Sequence, residues 1–249
     1  MTVKVSIIVN CRNGSKYLTK CLNSIKNQEF KDWEVIFWDN QSYDDSKKIF
    51  FSFDDKRFKY FLADKLTSLY EARNLACMKA TGKFVTFLDC DDWWYNDFLS
   101  SRKNFFESKT LKFSYSKFNY FFEKSNKYVI NTNTQLPDGK IYDFLSKKYL
   151  VAISSLLIET NTLKKINLFN PQYNIIGDYD AVMKICKNND AHVIQKPLLC
   201  IRIHGKNFSD LNRKMAYEEY KNWYFNQTRD DFFKRNQLHF IKKLSYLFI

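Results

Sequence analysis

Glycine and proline are scarce in this 249-residue chain, at 5 and 3 residues. No Pro/Gly/Ser-rich linker, internal repeat or low-complexity tract divides it. The sequence therefore reads as one domain able to bury a full core, or one domain with a helical appendage. The six cysteines (Cys11, Cys21, Cys77, Cys90, Cys186 and Cys200) form no CxxC pair and no zinc-ligand spacing. That argues for a reduced, cytosolic setting. Several lie inside apolar runs, where cysteine behaves as a small hydrophobe. No apolar run approaches the roughly 20 residues needed to span a bilayer. The opening MTVKVSIIVNC lacks the cationic leader, long apolar stretch and small-residue cleavage site of a signal peptide. The expected placement is cytoplasmic, soluble or lying on the inner face of a membrane.

What is present is ordinary globular material. Hydrophobic residues make up 45% and charged residues 27%, which excludes wholesale disorder. Forty Lys and Arg stand against 27 Asp and Glu, a net charge of +13. Such an excess attracts polyanions: nucleotide phosphates, anionic lipid headgroups or nucleic acid. It selects none of them.

Residues 4–10 (KVSIIVN) are short, β-branched and nearly all apolar, the pattern of a strand covered on both faces. A helix follows, with Leu18, Cys21, Leu22 and Ile25 on one side. A second apolar run at residues 34–38 ends in the polar segment 39–46, before another helix and a short strand near residues 58–61. Ser68 and Glu71 have capping-box spacing and start a helix through about Lys79, with Gly82 just beyond its end. Residues 83–88 (KFVTFL) run straight into Asp89-Cys90-Asp91-Asp92. Strand and helix thus alternate across residues 1–92, which predicts an α/β fold with a mostly parallel sheet flanked by helices. Ligands of such sheets sit beyond the carboxyl ends of the strands, where residues 10–13, 39–46 and 89–92 all fall. Further on, residues 113–131 read as strands, 151–158 (VAISSLLI) as a buried strand, 178–187 as a helix and 198–203 as a last strand.

Three polar clusters carry the chemistry. Asp89, Asp91 and Asp92 crowd carboxylates at a strand end, which is costly unless something positive joins them. On spacing alone the run reads equally as a site for Mg²⁺ or Mn²⁺, completed by substrate phosphates, or as a solvated turn with capping aspartates. In residues 38–46, Asp44 and Asp45 are explained by capping the next helix. Asp39 has no obvious local use, and an ionised Asp there suits a base or a ribose. Arg73, on the helix before the acidic strand, suits a base or a diphosphate, or else a surface ion pair.

Together these stretches resemble the inverting family-two glycosyltransferases, which have a nucleotide-binding α/β domain of GT-A type. VSIIVNCRNGSKYL is similar to the family's opening strand and loop, and WDNQSYDDS to its second-strand motif. YEARNLACMKATGKFVTFLDCDDWW is similar to its most diagnostic stretch, with Asp89-Cys90-Asp91 as the DxD motif. GDYDAVMKI resembles the segment of the catalytic base, and IRIHGKNFS the Arg-x-His segment near the domain's end. The resemblance implies that Asp39 contacts the nucleobase, with Asn10, Arg12 and Asn13 nearby, and that Arg73 helps to hold the nucleotide. It implies that Asp89 faces the ribose and Asp91 binds Mn²⁺ or Mg²⁺ bridging the diphosphate. Asp178 becomes the base that deprotonates the acceptor hydroxyl, with Asp180 close enough to compete, and His204 approaches the metal or diphosphate.

The implied reaction is inverting transfer of a sugar from a nucleoside-diphosphate sugar to an acceptor hydroxyl, in bacterial surface polysaccharide or glycan assembly. A UDP-sugar is favoured because Asp39 can accept the uracil N3–H. Two motifs depart from the family's common form: Gly177-Asp178 stands where many relatives have Glu-Asp, and Asp39-Asn40-Gln41-Ser42 where Asp-Asp-Gly-Ser is common.

The catalytic domain is expected over residues 1–205, with a helical C-terminal extension over 206–249. Residues 232–249 contain four basic and no acidic residues. As an amphipathic helix they would suit a membrane interface and a lipid-linked acceptor, or pack on the chain's own core or on a second subunit in a homodimer. The rival functions are a catalytically silent nucleotide-binding relative and a basic nucleic-acid binder. No nucleic-acid recognition signature supports the latter, so nucleic acid is not an expected partner.

Overall fold

A computed structural model describes residues 3–227. In chain order the elements are β1 (Val5–Cys11), α1 (Ser15–Lys26), β2 (Trp33–Asp39), α2 (Ser46–Phe51), β3 (Phe58–Leu62), α3 (Leu69–Cys77), β4 (Phe84–Phe87), β5 (Trp93–Trp94) and α4 (Lys103–Glu107). There follow β6 (Phe113–Phe122), β7 (Lys127–Ile130), α5 (Tyr142–Lys147), β8 (Leu157–Glu159), α6 (Thr160–Lys165), α7 (Gly177–Cys186), β9 (Ala191–Ile203), α8 (Phe208–Leu211) and α9 (Arg213–Gln227).

One sheet runs in the order β3-β2-β1-β4-β8-β6-β9-β5, with β7 paired to β6. Strands β3, β2, β1 and β4 are mutually parallel, as the alternation of strand and helix predicts. Strand β8 is antiparallel to both β4 and β6, whereas β6 and β9 are parallel. Side chains alternate across the sheet. Ile8, Ile36 and Val85 face a layer containing Tyr70 and Ala76 of α3, Val182 of α7 and Trp223 of α9. Val5, Ile7, Val9, Val35 and Phe37 face Leu18, Leu22 and Ile25 of α1 and Phe50 of α2.

The end of the sheet away from the polar clusters is pinned by one buried acid. Glu34, 1% exposed, accepts hydrogen bonds from the Ser6 hydroxyl at 2.6 Å and from the Thr81 N–H and hydroxyl, both at 2.8 Å. Its other oxygen pairs with Lys59 at 2.5 Å. One carboxylate therefore ties β1, β2, β3 and the turn before β4 together.

Several boundaries differ from the sequence reading. Residues 151–156 are not strand: a 3-10 turn occupies Ile153–Ser155, and only Leu157–Glu159 joins the sheet. The Ser155 carbonyl in that turn accepts from the buried Arg102 guanidinium, and burial lowers the Arg102 pKa to about 9. Strand β9 starts at Ala191 rather than 198, with register irregularities against β6 on either side of Lys117. Ser68 caps α3 as expected, the Glu71 N–H donating to Ser68 Oγ at 3.3 Å, without a return bond from the Glu71 side chain. Asp45, however, makes no side-chain cap at α2. Asp44 reaches further, accepting from the N–H groups of Ser46 and of Ser15 at the start of α1.

Helix α9, within the expected C-terminal extension, packs on the sheet. Ala216, Trp223 and Tyr224 of α9 are buried, and Trp223 and Tyr224 belong to the same core layer as α3 and α7. At least to Gln227, the C-terminal part is integral to the domain. The basic segment 232–249 lies outside the described residues.

Candidate active site

The carboxyl ends of β1, β2 and β4 bring the three polar clusters together. Asn10 stands opposite Trp38 in the β1–β2 register, and Cys11 opposite Asp39. Asn10 Nδ2 is buried without a hydrogen-bond partner, while Arg12 is exposed. Asn13 adopts φ 54°, a conformation that Asn tolerates better than most residues. Its N–H donates to Ser42 Oγ, and its side-chain oxygen accepts from the Tyr43 N–H, both at 3.0 Å. The loops after β1 and β2 are thereby latched to one another.

Asp39 has more local work than the sequence suggested. It is 1% exposed, and its two oxygens accept the Ser42 N–H at 2.7 Å and the Tyr60 hydroxyl at 2.5 Å. A carboxylate oxygen has a second lone pair, so these bonds do not exhaust the accepting capacity of either.

The acidic run divides its labour. Asp92 is buried and structural: it accepts from the Arg202 N–H at 3.0 Å and the Ser154 hydroxyl at 2.9 Å. Burial and the charges of Asp91 and Asp89 push its carboxyl well above the ordinary carboxylate range. Asp89 keeps one face in solvent, its side chain 37% exposed, and takes the Arg73 guanidinium on Oδ1 at 2.5 Å. Asp91 is raised by burial and then by Asp89, with the His204 hydrogen bond pulling the other way. Asp91 Oδ2 lies 3.1 Å from His204 Nε2. Because His204 Nδ1 accepts the Lys206 N–H, the tautomer consistent with both contacts carries its proton on Nε2 and donates it to Asp91. His204 also stacks on Tyr17, with centroids 5.1 Å apart. His204 thus orients Asp91 through a hydrogen bond, as partners of metal ligands commonly do.

These donors fit a divalent cation of the Mg²⁺ or Mn²⁺ kind. Two carboxylates share a strand end, and Asp91 is raised by burial and by its neighbour, which a positive charge there would relieve. Among the described residues no three His, Cys, Asp or Glu side chains form a ready cage.

Helix α3 connects this run to the other implied carboxylate. Tyr70 and Arg73 are one turn apart, so they share a face. The buried Tyr70 hydroxyl lies 2.9 Å from the Ile175 carbonyl and 3.0 Å from Asp178 Oδ1. Its single proton serves whichever acceptor is better placed. Asp178 is half-buried in the first turn of α7. Burial raises its pKa, offset in part by the Arg73 charge and the Tyr70 hydrogen bond. Asp180 sits in different surroundings. Asp180 is 2% exposed, with Oδ2 held by Lys184 at 2.7 Å and Oδ1 by the Trp223 indole N–H at 2.9 Å. Asp180 binds helices together, whereas Asp178 faces Tyr70.

The sequence reading missed Tyr70, Ser154 and Arg202. Arg202 belongs to the Arg-x-His pattern already singled out, and its Nε–H donates to the Asp91 carbonyl at 3.0 Å. Nothing in the local sequence marks Ser154.

The profile of glycosyl transferase family 2 matches residues 6–184. The chain belongs to that family. An uncharacterised glycosyltransferase of Rickettsia conorii is 30% identical over 213 residues, covering 84% of this chain and 35% of the relative. The chain thus spans about a third of the length of that relative. The Escherichia coli protein WfaP, named a UDP-Glc:α-D-GlcNAc-diphosphoundecaprenol β-1,3-glucosyltransferase, is 30% identical over 163 residues, covering 66% of this chain and 63% of that protein. Among solved structures, Staphylococcus aureus TarS 1–349 in complex with UDP-GlcNAc superposes with TM-score 0.65 at 22% identity, over 86% of this chain and 66% of that one. The Pyrobaculum calidifontis mannosyltransferase PcManGT in complex with GDP-Man and Mn²⁺ gives TM-score 0.69 at 15% identity, over 92% and 65%. These likenesses show that the mixed α/β sheet with its flanking helices is the GT-A-like fold.

Proposed function

We propose that this protein is a metal-dependent inverting glycosyltransferase that moves a sugar from a UDP-sugar to a hydroxyl of a lipid-linked glycan acceptor. The observation that carries the reading is the joining, by Tyr70 and Arg73 of one helix, of a half-buried carboxylate to a paired acidic run at the strand ends. Asp178 takes the acceptor's proton as its oxygen attacks C1 of the sugar. The bond from C1 to the diphosphate oxygen breaks in the same displacement, which inverts the anomeric centre. When bound at Asp91, the cation supplies Lewis-acid stabilisation of the charge that the departing diphosphate gains. Arg73 and Asp89 fix the nucleotide's place, and His204 and Arg202 hold Asp91 from either side.

Uracil is favoured because Asp39 keeps an acceptor free at the end of β2, and because TarS is described with UDP-GlcNAc and WfaP is named for UDP-Glc. A GDP-sugar is the second reading, favoured by the fold shared with PcManGT. The WfaP name, with its diphosphoundecaprenol substrate, supports a lipid-linked acceptor and polysaccharide assembly. So does the segment after His204, where Phe208 (53% exposed) and Leu211 (66%) stand among the exposed Lys206, Arg213 and Lys214. Such a mixture suits an anionic membrane surface. No helix among the described residues is long and apolar enough to cross a membrane.

The test is thermal stability against UDP, GDP, TDP and CDP, with and without Mn²⁺, for wild type and Asp91→Ala. A ligand at about 100 times its dissociation constant stabilises the native state by roughly 2.7 kcal/mol. Stabilisation by UDP that needs Mn²⁺ and is lost in Asp91→Ala is the expected result. A response to GDP alone moves the donor to the second reading, and no response to any nucleotide overturns the proposal.

A further inference from the structure

Helix α9 was expected to lie outside the catalytic domain, yet it delivers a buried carboxylate to the segment that carries Asp178. Glu219, 9% exposed, accepts three successive backbone N–H groups. Asn174 donates to Oε1 at 2.7 Å, and Ile175 and Ile176 donate to Oε2 at 2.9 and 3.1 Å. Successive N–H groups of this kind form a concave nest for an anion. Here the anion comes from the protein's own chain, 43 to 45 residues further along.

The position of this nest gives it consequence. Ile176 is the N-cap of α7, has φ −99° and ψ 11°, and makes no side-chain cap of its own. Negative charge at a helix N-terminus is favourable, and Glu219 supplies it from another helix. Asp178 follows Ile176 by two residues. Both backbone polar groups of Ile175 are held, its N–H by Glu219 and its carbonyl by the Tyr70 hydroxyl that also contacts Asp178. A shift of this turn therefore moves Asp178 relative to Tyr70 and to the acidic run.

We propose that Glu219 is a positioning residue for Asp178, its carboxylate setting the turn at residues 174–176 that aims the base. The proposal rests on the reading of Asp178 as the base. It makes α9 part of the catalytic apparatus rather than an appendage. Glu219 touches no reacting atom, so its removal should act on turnover and only through Asp178. A nest left facing an amide N–H₂ would lose acceptors for buried donors and would relax.

The experiment is a double-mutant cycle on the full chain with Glu219→Gln and Asp178→Asn, read as UDP release from UDP-glucose with Mn²⁺ and water as acceptor. Melting temperature and the shift induced by UDP with Mn²⁺ are recorded for every variant. Glu219→Gln is expected to lower kcat by roughly 10- to 100-fold, since small misplacements of catalytic groups cost about that much. KM for UDP-glucose and the UDP-induced shift should stay within about twofold of wild type, because this is loss of an interaction that acts in the transition state. In the Asp178→Asn background the same substitution should change kcat by less than about twofold, the non-additivity of two residues acting as one unit. Glu219→Asp keeps the charge and should recover part of the loss, which guards against a Gln variant that fails to fold.

Independent, additive losses overturn the proposal, as does a Glu219→Gln enzyme that turns over like wild type while Asp178→Asn is slow. If Asp178→Asn itself keeps wild-type kcat, the base reading has failed and the positioning role falls with it.

Discussion

The guanidinium carbon of Arg73 lies 5.1 Å from the ring centroid of Tyr70, and from this pair the two side chains reach different carboxylates, Asp89 and Asp178. The pair with Asp89 is lopsided: the Arg73 side chain is 3% exposed and that of Asp89 is 37% exposed. Removing the wetter partner strands a buried charge, whereas removing the drier one leaves a carboxylate that water can solvate. Asp89→Ala is therefore expected to destabilise the fold by about 3 kcal/mol, the lower end for a broken buried pair. Arg73→Met, which refills the space with a flexible apolar chain, should cost about 1 kcal/mol. Urea midpoints at constant m-value decide the order, and a reversed order refutes this account of the pair.

Tyr70 should also set the pH at which the base works. Burial raises the Asp178 carboxyl above its ordinary value, and the Tyr70 hydrogen bond pulls it back by favouring the ionised form. The acid limb of kcat should accordingly lie above about 3.9, the usual Asp value. Tyr70→Phe removes the donor, which favours the protonated form and moves the limb to higher pH. The shift should be small, because the hydroxyl shares its proton with the Ile175 carbonyl. A pH profile of UDP-sugar turnover checks both sign and size; a limb moving to lower pH would count against the contact.

Much of this site was legible in the sequence because it is built from short local patterns. The buried strands β1 and β2 announce themselves as apolar runs, the Ser68–Glu71 box marks the start of α3, and Asp89 to Asp92 sit where β4 must end. What stayed hidden depends on distant partners. Ser154 and Ser155 lie in an apolar run that reads as strand, but their polar groups are committed to Asp92 and Arg102, and the chain turns instead. Residues 191–197 mix polar side chains with Pro197, and only the long partner β6 makes a strand of them. Glu219 looks like any surface glutamate on a polar helix, since its partners are three backbone N–H groups that carry no sequence code.

Acid stability should be governed at the opposite end of the sheet. Burial pushes the Glu34 carboxyl up, but the hydrogen bonds from Lys59, Ser6 and Thr81 outweigh it, so the group ends below its ordinary value. A depressed carboxyl contributes stability that is present above the unfolded value of 4.5 and lost as pH falls through the folded one. Glu34→Gln should therefore be less stable than wild type at pH 7, by about 2 kcal/mol, because an amide N–H₂ would face buried donors. From pH 4.5 downward the two proteins should approach one another, converging below the depressed folded value. Denaturation midpoints from pH 7 down to 3 give the test: parallel curves would mean that Glu34 is not the titrating group.

Gly177 distinguishes this chain from the Glu-Asp form of the motif, and Tyr70 supplies the reason. A Cβ at 177 would meet three atoms of the Tyr70 ring, Cδ2 at 2.6 Å and Cδ1 and Cε2 both at 2.7 Å. The ring has little room to yield: it is 2% exposed, packs 5.5 Å from Phe169, and has its hydroxyl on Ile175 and Asp178. Two effects compete in Gly177→Ala. Alanine is a better helix residue by about 1 kcal/mol in a helix interior, and by less at a first position such as this. Overpacking costs about 1 to 3 kcal/mol. The steric term should win, leaving the variant destabilised by about 1 to 2 kcal/mol and slower in turnover as Tyr70 leaves Asp178. Adding Tyr70→Leu makes room for the new methyl group and should restore the melting temperature. It cannot restore the hydroxyl, so the acid limb of kcat should stay at the higher pH predicted for Tyr70→Phe. Recovery of stability without recovery of the pH profile separates the packing role of Tyr70 from its role toward the base, and simultaneous recovery of both would show that Asp178 does not depend on that hydroxyl.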